Sequence, residues 1–485
     1  MRRPPIRNFS FQRQAQAGAA LLLMMTMLAV GAAFMLLRAL NSANPQVQRD
    51  QETYQTLAQA KEALINWAVR PAGEALGQLP YPDILDTIDE ASPDYNGEQD
   101  MHCPDTSSSV RPTLAVASRC FGRLPWKTLN LAPATLDQQD AFGEIPWYAV
   151  SANLLDTCLN SRLNPTLLNA TYPVTATYNC AVATQLPHPW LVVRDHLGNI
   201  LSNRVAFVLI MPGKKIGSQN RYLPLSLPRN YIDAVTVTGS CPTTCVVGTY
   251  DNGSFSPGNQ FIAGLDIAKV KGDDSTYAQP YLFNDRLIYV TIDELMFALE
   301  KRALQEARAK LVAFYGSKQY FPYTATLGSL TGSCVDTNLQ GFLPLQQGTC
   351  SAGDFLGSPL PSWFSTANWK NFIFYAVGSA CVPGTNKCEG SGTGFLKLGN
   401  GTQNTRAVLI ATGRPVANVA GQIPSMSETP PVYAASLTRA QTGCCSTLAI
   451  DYLDSTANAD GNDVFDAQGL VRTHIYNDYI LVLAP

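Results

Sequence analysis

Hydrophobic positions along this chain fall into three patterns. Residues 19 to 37 form one uncharged run of 19 residues, bounded by Gly18 and Arg38. As a helix such a run rises about 28 Å, close to the ~30 Å of a bilayer's hydrocarbon core. Two later stretches repeat at helical spacing. Residues 46–69 place Tyr54, Leu57, Leu64, Ile65 and Ala68 near one face, and residues 292–315 do so with Leu295, Leu299, Ala303, Leu304, Ala307, Leu311 and Phe314. Short β-branched and aromatic runs predict strands at 146–151, 190–194, 205–211, 286–291, 371–377, 407–412 and 479–484. Helix followed by strands, twice over, predicts an α+β chain with antiparallel sheets.

The segment before the apolar run carries Arg2, Arg3, Arg7 and Arg13 and no acidic residue, which places the N-terminus in the cytoplasm. A cleaved secretory signal has a shorter apolar core and a small-x-small site. A plain membrane anchor is a second reading. A third is a short basic leader ending in glycine, cut before an apolar segment that survives as a helix. Gly18-Ala19 has that layout, and here the chain resembles the type IV pilin superfamily. The resemblance covers about 25 residues. It implies cleavage between Gly18 and Ala19 by a prepilin peptidase and methylation of the new N-terminus. Most pilins carry Glu at the fifth mature position, where this chain has Leu23. Members lacking that Glu resemble the PilX-type minor pilins and the large K-type minor pseudopilin placed at filament tips. An unpaired charge in lipid is costly, so the Glu is thought to pair with a neighbour's N-terminal amine.

Order along the chain also suggests a repeat. The stretch 60–68 followed by Leu79-Pro-Tyr-Pro-Asp83 is echoed by 306–315 followed by Tyr320-Phe-Pro-Tyr323. Leu124-Pro-Trp126 is matched to Leu360-Pro-Ser-Trp363, Trp147–Val150 to Phe374–Val377, Arg204–Ile210 with Gly213 to Arg406–Ile410 with Gly413, and Asn284-Asp285 to Asn477-Asp478. The expected organisation is a leader (1–18), a transmembrane helix (19–40) and two repeat domains, 41–290 and 291–485. The full expectation is a transmembrane spine helix followed by two duplicated helix-plus-antiparallel-sheet halves, compatible with the pilin-head architecture. Twelve cysteines divide six to a half, and an even number beyond an export signal predicts disulfides. The repeat suggests the sequential pairs Cys103–Cys120, Cys158–Cys180 and Cys241–Cys245, then Cys334–Cys350, Cys381–Cys388 and the vicinal Cys444–Cys445. In this scheme Cys103 and Cys120 answer to Cys334 and Cys350.

Charged residues are only 15% and the net charge is −3, which gives no electrostatic footprint for a nucleic-acid partner. The four histidines (His102, His188, His196, His474) are scattered, no nucleophile elbow occurs, and no enzyme is expected. One cluster concentrates oxygen donors around a glycine turn: Asp454, Asn458, Asp460, Asn462, Asp463 and Asp466. Hard cations such as Ca²⁺ need such oxygens at close spacing, whereas the plain reading is a polar turn. No other cofactor is expected. The functional expectation is a structural minor, tip-placed subunit of a type IV pilus or type II secretion-like filament. Its expected partners are the inner membrane, prepilin peptidase, other minor pilins or pseudopilins and the major pilin. Its body would lie in the periplasm or, after assembly, at the cell surface. The alternative is a membrane-tethered periplasmic or surface binding or adhesion protein.

Overall fold

The computed structural model describes residues 24–31, 45–70, 76–84, 96–100, 119–131, 145–155, 163–169, 186, 188–195, 199–213, 228–237, 248–253, 259–263, 285–329, 331–351, 354–357, 360–385, 388, 392–399, 403–413, 449, 452–453, 456–466 and 478–483. They fall into two compact units, one up to Gln55 and one from Thr56 onward. In the first unit, residues 24–31 are helical, and Met24, Met25, Met27, Leu28 and Val30 are all strongly exposed. Among the described residues no helix is long and apolar enough to cross a membrane. Gly18, Ala19 and Leu23 lie outside the described residues, as does most of the run from 19 to 37.

Helix α1 is Pro45–Ala68 and helix α2 is Ile292–Lys318. Pro45 opens α1, where its missing N–H is one of the helix's orphan donors anyway. Leu57, Ala60, Leu64 and Ala68, at i, i+3, i+7 and i+11, turn one face of α1 to the core, while Tyr54 is exposed. Thr291 caps α2 by accepting the Glu294 N–H, and Asp293 and Glu294 complement the helix dipole. Gln319 ends it in the left-handed region (φ 64°), returning its N–H to the Tyr315 carbonyl.

The second unit is layered. Strands β1 (Arg119–Arg123), β2 (Trp147–Ser151), β3 (Leu191–Arg194), β4 (Ile200–Met211), β7 (Gln260–Ile262) and β8 (Arg286–Thr291) form one sheet, in the order β1-β2-β4-β3-β7. The 12 residues of β4 let its first half pair with β3 and its second half with β8. Two further strands, β5 (Ala234–Val237) and β6 (Gly248–Asp251), pair as a two-stranded ribbon. A second sheet has the order β15-β13-β10-β9, from β9 (Gln340–Phe342), β10 (Ile373–Val377), β13 (Ala407–Ala411) and β15 (Tyr479–Val482). A short helix α3 (Ser362–Thr366) precedes β10. Strands β11 (Leu396–Leu398), β12 (Gln403–Thr405) and β14 (Val464–Phe465) make a three-stranded sheet, and helix α4 (Thr456–Ala459) leads into β14.

One large core holds both helices between the two main sheets. It gathers Leu64 of α1, Leu295 and Leu311 of α2, Tyr148 and Phe207 of the first sheet, and Tyr375 and Leu409 of the second. Helix α2 touches β4 and β8 on one side and β13 on the other. The opposite faces of the sheets are covered too. Trp147, Ala149 and Val208 fill a core behind the first sheet, and Phe374, Ala376 and Val408 one behind the second. Side chains alternate between faces with period two, so β2 and β10 read as unbroken apolar runs because both faces are buried. Asn164 donates to the Ala367 carbonyl at 2.8 Å across the seam between the halves.

The sheets share order and register. β1-β2-β4-β8 runs antiparallel throughout, as does β9-β10-β13-β15. Tyr148 pairs with Leu209 and Tyr375 with Leu409, and each of these tyrosines donates its hydroxyl to a proline carbonyl, Pro80 (3.2 Å) and Pro322 (3.0 Å). Asp83 bridges Arg123 as Ala325 bridges Phe342. At these bridges a Cβ on Gly122 would lie 2.4 Å from the Asp83 oxygen, and one on Gly341 2.0 Å from the Ala325 oxygen, so only glycine fits.

This register corrects three details of the sequence reading. Counted from the bridges, which Gly122-Arg123 and Gly341-Phe342 hold alike, Leu124-Pro125 takes the position of Leu343-Pro344 rather than Leu360-Pro361. Cys120 lies inside β1 before that bridge, whereas Cys350 follows β9, so the two cysteines occupy different places. The sheets are also mixed rather than purely antiparallel, since β3–β7 and β11–β14 pair parallel.

Candidate functional site

Part of the described oxygen cluster near the C-terminus is hydrogen-bonded within its own turn. Asn458, almost fully buried, accepts the Asp466 N–H at 2.7 Å. Asp460 accepts the Asn462 N–H at 3.0 Å, and Asn462 accepts the Val464 N–H at 2.6 Å. The Asp463 carbonyl receives the Lys397 N–H, tying the turn to β11. The Asp460 and Asn462 bonds, each reaching two residues on, are Asx turns leading into β14. Asp454 lies outside the described residues. Among the described residues no group of three or more His, Cys, Asp or Glu side chains is placed to hold a metal ion.

Two disulfides join cysteines that are both among the described residues, Cys334–Cys350 (Cα–Cα 5.4 Å) and Cys381–Cys388 (4.4 Å). Cys120 is also disulfide-bonded. Cys103, Cys158, Cys180, Cys241, Cys245, Cys444 and Cys445 lie outside the described residues. The two bridges staple loops around the C-terminal end of α2. The Phe321 N–H donates to the Cys381 carbonyl at 2.7 Å, and the Tyr320 hydroxyl donates to Asp354 at 2.5 Å. Burial, then the Asp354 hydrogen bond and charge, push the Tyr320 hydroxyl up to about 12. Burial alone pushes the Tyr148 and Tyr375 hydroxyls well above the usual range, so both remain donors.

A groove of about 700 Å³ runs along the outward face of α1. Glu62, Ala63 and Trp67 form one wall, and Leu129, Asn130 and Leu131 the other. Arg70 stacks its guanidinium 3.5 Å from the centre of the Trp67 ring, and burial lowers its pKa. The wall at 126–131 is a turn closed by the Leu131 N–H on the Trp126 carbonyl, with Asn130 left-handed (φ 54°). The turn follows Gly122-Arg123-Leu124-Pro125, the signal by which it could have been found from sequence. Residues 71–75 and 132–144 lie outside the described residues.

Of the histidines, His188 is described. Its backbone exchanges hydrogen bonds with the Asn153 side chain (3.1 and 2.9 Å). What sequence reasoning missed is the turn under β1, where Asp83 is 2% exposed and accepts the Gly97 N–H at 2.7 Å. Burial, the Asp100 charge and opposing backbone hydrogen bonds leave its carboxyl raised to about 7. The chain matches no known family model, no curated protein and no solved structure.

Proposed function

We propose that this chain is a structural minor subunit of a type IV pilus or type II secretion-like filament, placed at or near the filament tip. The observation that carries this reading is the N-terminal layout. A basic leader ends at Gly18, and an uncharged run from 19 to 37 follows. The described part of that run, 24–31, is helical, with its apolar side chains exposed. Such a surface needs lipid or other apolar helices to cover it. The matching strand order and register of β1-β2-β4-β8 and β9-β10-β13-β15, each preceded by a long helix, support reading the two halves as an internal duplication of a pilin-head-like unit. The segment from 41 on is about three times a typical ~150-residue domain, too bulky to repeat along a helical filament. Leu23 in place of the usual Glu favours the same position. The partners in this reading are the inner membrane, a prepilin peptidase, the major pilin and other minor subunits, with the body in the periplasm before assembly.

The test is quantitative mass spectrometry of purified filaments. This chain is expected as a trace component, and deletion of residues 19–37 is expected to remove it from filaments. Filaments in which it is the most abundant subunit, or in which the deletion variant persists at wild-type level, would refute the assignment.

A further inference from the structure

Two segments of the first half are joined through a pair of acids, the buried Asp83 and the half-buried Asp100. The backbone of Asp83 exchanges hydrogen bonds with Arg123 of β1 (2.9 and 2.7 Å), and its carboxylate accepts the Gly97 N–H. Asp100 reciprocates: its carboxylate accepts the Ile84 N–H, and its own N–H donates to the Pro82 carbonyl at 3.3 Å. Each carboxylate thus takes an N–H from the other's segment. Among the described residues, the charged groups facing Asp83 are Asp100 and, on β1, Arg123. Arg123 points its guanidinium at the rings of Trp147 (4.2 Å) and Tyr231 (4.5 Å) and donates to the Ile145 carbonyl. Its charge therefore offsets burial only in part.

We propose that Asp83 and Asp100 form a proton-operated latch that holds segment 96–100 onto segment 82–84. Burial disfavours the carboxylate form of Asp83, so the closed state keeps a proton that the open state releases. Its carboxyl titrates at about 7 when closed, against an ordinary 3.8. The closed state is therefore tightest below about pH 4, weakens as pH rises, and is weakest above 7. The second half supplies an internal control. There the Val335 N–H donates to the Thr324 carbonyl as Asp100 does to Pro82, and the Gln346 N–H donates to the Gly332 carbonyl as Lys127 does to Gly97. Ala325 and Val335 stand where the acids stand in the first half, and the Cys334–Cys350 disulfide spans the turn. Neither position there carries an acid; the carboxylate in that turn, Asp336, accepts the Ser351 N–H at 3.4 Å and takes no part in the equivalent bonds.

Hydrogen exchange on the full chain in detergent, at pH 5.5 and 8.0 with intrinsic rates divided out, tests the latch. The Ile84 and Gly97 amides should be roughly ten-fold better protected at pH 5.5, and the Cys334 and Val335 amides equally protected at both. Asp83→Asn should abolish the pH response of the first pair. Should that variant lose protection at Cys334 as well, and so be misfolded, Asp100→Asn decides, since it should move the midpoint downward. Equal wild-type protection at both pH values, a pH response surviving Asp83→Asn, or an unmoved midpoint in Asp100→Asn would overturn the proposal.

Discussion

The turns under β1 and under β9 are the same backbone object closed by different side chains. Both run beneath a glycine that admits no Cβ, both return paired hydrogen bonds to the strand above, and both receive a tyrosine hydroxyl from the neighbouring strand. The first turn is joined through Asp83 and Asp100, and the second through Cys334–Cys350. Backbone bonds, the glycine and the tyrosine are thus what the fold requires at this place. The closing chemistry is free to differ. A covalent closure is indifferent to pH, whereas a buried carboxyl makes its half respond to it.

The largest expected break in this comparison comes from removing the covalent closure. Replacing Cys334 and Cys350 together by Ala should cost about 3 kcal/mol, from the loop of 16 residues released in the unfolded chain. Chemical denaturation under non-reducing conditions measures it, and a loss below about 1 kcal/mol would mean the backbone closes the turn unaided. Next in size are Gly122→Ala and Gly341→Ala, each about 2 kcal/mol by overpacking against a carbonyl oxygen. If one is neutral while the other is not, the two bridges are not equivalent. Smallest are Tyr148→Phe and Tyr375→Phe, about 1 kcal/mol each for a lost buried hydrogen bond. Unequal losses there would show that the two tyrosines bear on their turns differently.

Much of the scaffold was legible beforehand. The 3.6-residue repeat located α1 and α2 to within three residues at either end, and continuous apolar runs located β2, β4, β8, β10, β13 and β15. Helix α2 had every signal at once, with its Thr291 cap, acidic first turn and seven-position apolar face. Strands β1, β9 and β11 escaped because Arg119–Arg123, Gln340–Phe342 and Leu396–Leu398 are short and carry glycine or charge. Matching Leu124-Pro125 to Leu360-Pro361 failed because register belongs to hydrogen bonding between strands, which a repeated dipeptide does not report. Following Pro80-Tyr81-Pro82-Asp83 onto Pro322-Tyr323-Thr324-Ala325 would have exposed Asp83 as an acid where the other half has a methyl group. Its burial, however, depends on Gly97 and Arg123, distant in sequence, and no local pattern shows it.

The functional account rests on the N-terminus, and the difference between the two turns is secondary to it. Mass spectrometry of the N-terminal peptide of the mature, membrane-extracted protein tests it most directly. Our reading predicts a chain beginning at a methylated Ala19, with Gly18→Leu leaving the leader attached. A mature N-terminus beyond Ala33, or an intact leader in the wild type, would contradict it.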